Sequence, residues 1–233
     1  MTLARRLVGE GVGTSFLLAA VVGSGIMAER LSGGNDAIAL LANSLATGGA
    51  LVALIVTFAP VSGAHFNPAV TIALAARGEL KWADALLYVV VQFGAAIVGV
   101  AAAHAMFGIP PLEWSQKARP GLGQMGAEFV ATFGLLTVIL GVVRSGRTSA
   151  APFAVGAYIG AAYWFTSSTS FANPAVTIAR ALTDTFAGIR PRSVPVFVIA
   201  QCTGAVLAVA LARFLHPDLP EDAERIVVPH DEA

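Results

Sequence analysis

The chain has 233 residues, of which 56% are apolar and 12% charged, with a formal net charge of zero and a mean hydropathy of +0.75. An average soluble domain carries about 25% charged residues, so this composition excludes an ordinary soluble globule, a disordered chain and a basic nucleic-acid binder. It points to an integral membrane protein, and the single cysteine, Cys202, leaves neither an internal disulfide nor a cysteine-based zinc site.

A helix needs about 20 mostly apolar residues to cross hydrocarbon about 30 Å thick. Six stretches qualify: 7–28, 38–58, 82–107, 125–143, 150–168 and 194–215. Strand-type alternation is absent, which argues against a membrane barrel. Arg5 and Arg6 precede the first stretch in the manner of a secretory signal, but its length and Glu10 argue for a retained span. Six crossings put both termini on one side. Arg5, Arg6, Arg77, Lys81, Arg144, Arg147, Arg213 and Arg225 lie with the termini; Arg30, Lys117, Arg119, Arg180, Arg190 and Arg192 lie opposite. Eight against six favours cytoplasmic termini. The tail, 216–233, is polar, carries Pro217 and Pro220, and reads as a frayed end.

The chain repeats itself. Asn67-Pro68-Ala69-Val70-Thr71-Ile72-Ala73 recurs identically as Asn173-Pro174-Ala175-Val176-Thr177-Ile178-Ala179, 106 residues on. Glu10 with Thr14 matches Glu128 with Thr132, and Gln92 matches Gln201. Each half, 6–107 and 124–215, therefore holds three spans with the motif between its second and third, inside a single domain covering 1–233. Three is odd, so the second half begins from the opposite face and the two halves are inverted relative to each other.

Asn is a preferred N-cap and Pro a preferred first helical residue, so Asn67-Pro68 and Asn173-Pro174 each read as a helix start. About ten residues at 1.5 Å give roughly 15 Å, half of a hydrocarbon core. Two such half-helices entering from opposite faces would meet tip to tip near the midplane. Non-helical backbone must lead into each, over 62–66 and 169–172, and it survives at that depth only if buried or lining a water-filled cavity. Each Asn would cap with its amide oxygen and aim its NH2 into the lumen. Two helix N-termini, each roughly half a positive charge, would repel cations there and spare small neutral molecules.

The two Asn-Pro-Ala boxes, with Ser62-Gly63-Ala64-His65-Phe66-Asn67-Pro68-Ala69-Val70, resemble the signature of the aquaporin and aquaglyceroporin family. Glu10 and Glu128 match the glutamates of that family's first and fourth spans. The resemblance runs from Arg6 to about Leu215. It implies an all-α membrane fold of six tilted helices plus two re-entrant half-helices. It also implies a homotetramer in the bacterial plasma membrane, with one passive pore per subunit for water or small uncharged solutes. No cofactor, metal, nucleic acid or catalysis is implied. Glu10 and Glu128 would accept hydrogen bonds from the re-entrant loops, and His65 would brace its loop.

The sequence departs from the family pattern after the second box. Most members carry an Arg there; here it is Val176. Counting back from Asn67 and Asn173, the family's other constriction positions fall on Thr47, Ala161 and Ser170. That ring would hold no aromatic and no charge. It would pass solutes larger than water, such as glycerol-like polyols or neutral metalloid hydroxides. Similar Val-substituted bacterial members are associated with arsenic-resistance operons, which makes arsenite the specific expectation. Arg180 lies four residues past Val176 on roughly the same face. It would either turn into the filter or snorkel to the headgroups. The loop glycine usual in the family is here Thr169, which puts that loop's geometry in question.

Gly156 and Gly160 permit a close crossing, within the chain or between subunits. Ser15, Ser24, Thr57 and Thr132 read as interhelical hydrogen-bonding groups, and Cys202 as packing. Three other readings stand beside the solute channel. One is a water-selective pore. Another is an ion-coupled transporter, which needs an intramembrane carboxylate such as Glu10 or Glu128. The third is a closed-pore junction protein.

Overall fold

The structure, a computed structural model, describes residues 1–216; Pro217, Pro220 and Arg225 of the expected frayed tail lie outside the described residues. Thr2 caps α1 (Leu3–Leu31). Asn35 caps α2 (Asp36–Ser62) by accepting from the backbone N–H of Ala37 and Ile38, and α2 stops where Gly63 takes φ +86°. The first half-helix, α3 (Pro68–Ala76), follows, and then α4 (Trp82–Phe107), which closes on Gly108 at φ +65°. The second half repeats the order with α5 (Leu122–Arg144), α6 (Ala151–Phe165), the half-helix α7 (Pro174–Ala179) and α8 (Val194–Leu215).

Among the described residues five helices are long and apolar enough to span by themselves: α1, α2, α4, α5 and the segment Pro191–Leu215 that contains α8. The stretch 150–168, expected as one span, is shorter as a helix. Helix α6 has 15 residues, about 23 Å. The 3-10 turn Thr148–Ala150 before it adds about 6 Å. The helix ends early because the chain turns extended at Thr166, where it begins its return toward the membrane centre.

Each half packs alike. Helix α1 lies against α2 and α4, and α5 lies against α6 and α8, while α2 and α6 join the halves. Half-helix α3 sits on α4 and α8, as does α7, and the two touch each other. Close crossings rest on glycine in both halves, though at different positions of the repeat. A Cβ on Gly99 would lie 2.3 Å from the Ser15 carbonyl oxygen, and one on Gly204 would lie 2.7 Å from that of Phe129. A Cβ on Gly156 would lie 2.7 Å from the Gly48 carbonyl oxygen, so its motif serves the α2–α6 crossing inside the chain.

Apolar side chains such as Phe16, Leu45, Val90, Val98, Val206 and Phe214 point outward, as lipid contact requires. Cys202, expected in packing, is exposed on α8. Of the small hydroxyls, Ser15 bonds across to the Ala95 carbonyl, whereas Thr57 bonds back to Ala53 of its own helix. The latter is the ordinary way for a hydroxyl to satisfy itself without a neighbouring helix.

Candidate functional site

The two loops feeding α3 and α7 have matching backbones. Ala64 and Phe66 take positive φ (52° and 49°), as do Ser170 and Ala172 (49° and 48°). Left-handed backbone at residues other than glycine costs energy and persists only where the surroundings over-determine it. One buried carboxylate supplies that determination in each half. Glu10 accepts from Ser62 Oγ at 2.7 Å, from the backbone N–H of His65 at 2.9 Å and of Phe66 at 2.7 Å, and from Gln92 Nε2 at 2.8 Å. Glu128 accepts from the backbone N–H of Phe171 at 2.8 Å and Ala172 at 2.9 Å, and from Gln201 Nε2. Gln92 and Gln201 also donate to Thr71 and Thr177 of the half-helices. Both carboxylates are fully buried, and these donors account for the charge they carry into the membrane.

At the tips, each Asn has two tasks. Asn67 Oδ1 accepts from the Ala69 N–H, and Asn173 Oδ1 accepts from the N–H of Ala175 and Val176. Pro68 and Pro174 occupy the first helical positions. The amide NH2 groups do more than face the lumen. Asn67 Nδ2 donates to the Ala172 carbonyl at 2.8 Å, and Asn173 Nδ2 donates to the Phe66 carbonyl at 2.8 Å. One amide hydrogen on each Asn is thus spent on the opposite loop, and one is left over.

Both Asn residues line a cavity of about 170 Å³. A water needs only ~10–15 Å³ of such space, so the cavity has room for several small molecules. Leu17, Val21, Leu51, Ile55, Ile139 and Val155 give it aliphatic walls, and Ala64, His65, Phe66, Ser170 and Ala172 bring the two loops to it. His65 Nδ1 shares a hydrogen with Thr71 Oγ1. His65 Nε2 and Ser170 Oγ are buried and have no partner among the described residues.

Toward the face opposite the termini the lumen is lined by Thr47, Tyr163, Ser170, Phe171, Val176 and Arg180. Three of the four expected filter residues are there: Thr47, Ser170 and Val176. Ala161 is not. It is exposed on the far side of α6, and Tyr163, two residues later, takes the lumenal place with its hydroxyl 3.1 Å from Thr47 Oγ1. A two-residue shift rotates a helix position by about 200°, which accounts for the difference. Arg180 does not snorkel. Only 2% of it is exposed. Its Nε donates to the Ala187 carbonyl, and its guanidinium lies 3.4 Å from the Phe171 ring centroid. The expectation of a ring with no aromatic and no charge is therefore overturned.

Arg119, in the connection between α4 and α5, also lies over Phe171, at 4.9 Å. It donates to the carbonyls of Gly188 and Ser168 and so braces the second loop. Burial pulls its guanidinium down to about 10, against the opposing pull of Glu128. Lys117 beside it is lowered by burial and by the charges of Arg119 and Arg180. Glu29 and Asp36 pull the other way on Lys117. Sequence reasoning passed over Arg119 and Tyr163; nothing in their local sequence marks them. Among the described residues no cluster of His, Cys, Asp and Glu could hold a metal ion.

Two re-entrant half-helices meeting tip to tip beside a lumen, each loop held by a buried glutamate, define a membrane channel of the aquaglyceroporin type. The model of the major intrinsic protein family matches residues 1–170 and 153–232. The chain is 55% identical to the aquaglyceroporin AqpS of Rhizobium meliloti over 213 residues, 91% of each chain. It is 34% identical to the probable aquaporin AqpM of Archaeoglobus fulgidus, over 92% of this chain and 98% of that one. Among solved structures, the aquaglyceroporin from Plasmodium falciparum shares the fold with a TM-score of 0.74 at 23% identity, covering 93% of this chain and 98% of that one. The chain belongs to the major intrinsic protein family. It is a multi-pass membrane channel for small neutral solutes and water, and not an enzyme.

Proposed function

We propose that the chain passes glycerol-like polyols, neutral metalloid hydroxides such as arsenite, and water, passively and in either direction. The observation that carries this reading is Val176 on the lumen. It stands directly after the second Asn-Pro-Ala box, and its short aliphatic side chain leaves room beside Ser170 and Thr47 for a solute wider than water. The remaining amide hydrogens of Asn67 and Asn173 on the lumen offer hydrogen bonds to solute hydroxyls as they shed water. Asn67, Pro68, Ala69, Asn173, Pro174 and Ala175 form the central passage, with Glu10, His65 and Glu128 as loop support. The name of the Rhizobium meliloti relative, an aquaglyceroporin, is in keeping with solutes of this kind.

The functional unit in this reading is a homotetramer in a bacterial plasma membrane, with cytoplasmic termini and the whole chain, 1–233, as one channel domain built from repeats 6–107 and 124–215. The test is flux of water, glycerol, urea and arsenite into proteoliposomes, wild type beside Val176→Arg. Glycerol and arsenite flux should fall in the variant while water flux persists. Equal glycerol and arsenite flux in both would refute the role given to Val176.

A water-selective pore is the second reading, favoured by Tyr163 and Arg180 on the lumen. It predicts wild-type water flux with glycerol no faster than through bare lipid. Ion coupling has little to recommend it, because Glu10 and Glu128 are already engaged with their loops.

A further inference from the structure

We propose that Arg180 is the specificity-determining cation of this pore, set one helical turn beyond Val176 and working with the hydroxyls of Thr47 and Tyr163; this rests on the channel reading above. Three observations converge. Helix α7 ends at Ala179, and the chain tightens into the 3-10 turn Arg180–Leu182, leaving Arg180 on the lumen. The side chain is buried, yet only Nε is paired, with Ala187; Nη1 and Nη2 meet no acceptor among the described residues. The guanidinium is fixed rather than free to swing, because Phe171 supports its face, and Phe171 is itself packed edge-on against Phe197.

A planar cation held by its edge and its face, with two nitrogens unspent, is prepared to donate to a solute oxygen. Among the described residues no carboxylate is paired with it, so its charge is not cancelled. Four residues along a helix amount to about 6 Å. The lumen therefore carries two donor stations in series: the amides of Asn67 and Asn173 at the centre, and the charge of Arg180 nearer the mouth. Between them Val176 leaves an apolar gap. Such an arrangement rejects cations without narrowing the passage at the position after the second box. Across the lumen's polar lining, Thr47 and Tyr163 share one hydrogen bond and keep lone pairs for a solute hydroxyl. The pore then favours compact molecules with several hydroxyls over apolar ones of equal size.

Three variants test this in proteoliposomes: Arg180→Leu, Arg180→Lys, and the exchange Val176→Arg with Arg180→Val. Proton leak is read with a pH-sensitive dye, potassium leak with a potassium-sensitive one, and glycerol and water flux by light scattering. Arg180→Leu should raise cation leak about tenfold or more, as expected for removing an uncompensated charge from a low-dielectric pore. Arg180→Lys should hold the leak low but slow glycerol relative to water, since the fork of donors is gone. The exchange should restore cation exclusion and cut glycerol flux. Should Arg180→Leu fail to assemble, the lysine variant and the exchange decide by the same readouts. Cation exclusion and the glycerol-to-water ratio unchanged in the assembled variants would overturn the inference while leaving the channel intact. Wild-type flux no faster than through protein-free vesicles would overturn the channel reading itself.

Discussion

Asn67 and Asn173 hold each other's loops: each donates its amide to the carbonyl of the residue just before the other, at 2.8 Å in both directions. The two half-helices are thus tied at their tips by a reciprocal pair of bonds, while each Asn also caps its own helix. Asn67→Asp separates these tasks. The carboxylate can still cap, but it cannot donate to Ala172, and it places a negative charge on the lumen. We expect a loss of about 1–3 kcal/mol, read as a lowered thermal midpoint in detergent, together with a measurable potassium leak. An unchanged midpoint would mean that the cross-loop bond contributes nothing.

Thr169 adopts φ +64°, a conformation that β-branched residues rarely tolerate. In the first half the matching position is Gly63, at φ +86°. Thr169→Gly should relieve strain of about 1 kcal/mol or more, partly offset by the greater freedom of glycine in the unfolded chain. The expected result is a raised midpoint with unchanged water flux, measured by thermal unfolding and light scattering on the same preparation.

Glu128→Gln replaces an ion that accepts from two loop amides and from Gln201. The new NH2 must face one of those donors. We expect a cost of about 2–3 kcal/mol and a collapse of solute flux, with flux in the wild type indifferent to an imposed proton gradient. Flux that followed the gradient would instead make Glu128 a coupling group.

Gly13 carries the Phe66 ring. A Cβ there would lie 2.0 Å from Phe66 Cε1, and Phe66 supplies the carbonyl that Asn173 holds. Gly13→Ala should cost about 1–3 kcal/mol by overpacking and slow all permeants together, rather than changing selectivity. A variant with selective loss of glycerol flux would contradict this.

Much of the architecture was legible in the residues. Asn-Pro pairs start helices for local reasons, so both half-helices could be placed by inspection, and span 82–107 coincides with α4. The identical heptads exposed the duplication, and an odd number of spans per half gave the inversion. What stayed hidden was tertiary. The Asn67–Ala172 and Asn173–Phe66 bonds join residues over a hundred positions apart. Counting along the chain points to Ala161. Helix α6 follows a 3-10 turn and is short, and it presents Tyr163 to the lumen instead. The burial of Arg180 depends on Phe171 and Ala187 arriving beside it, which no local pattern announces.

The most direct test of a passive channel for neutral solutes is stopped-flow glycerol efflux from proteoliposomes of the purified protein, with and without ion gradients, beside simultaneous potassium conductance. Such a channel predicts efflux well above protein-free vesicles, unsaturated with glycerol concentration, unaltered when every gradient is collapsed, and accompanied by no potassium current. Efflux at the protein-free rate, or efflux that stops with the gradient, would contradict it.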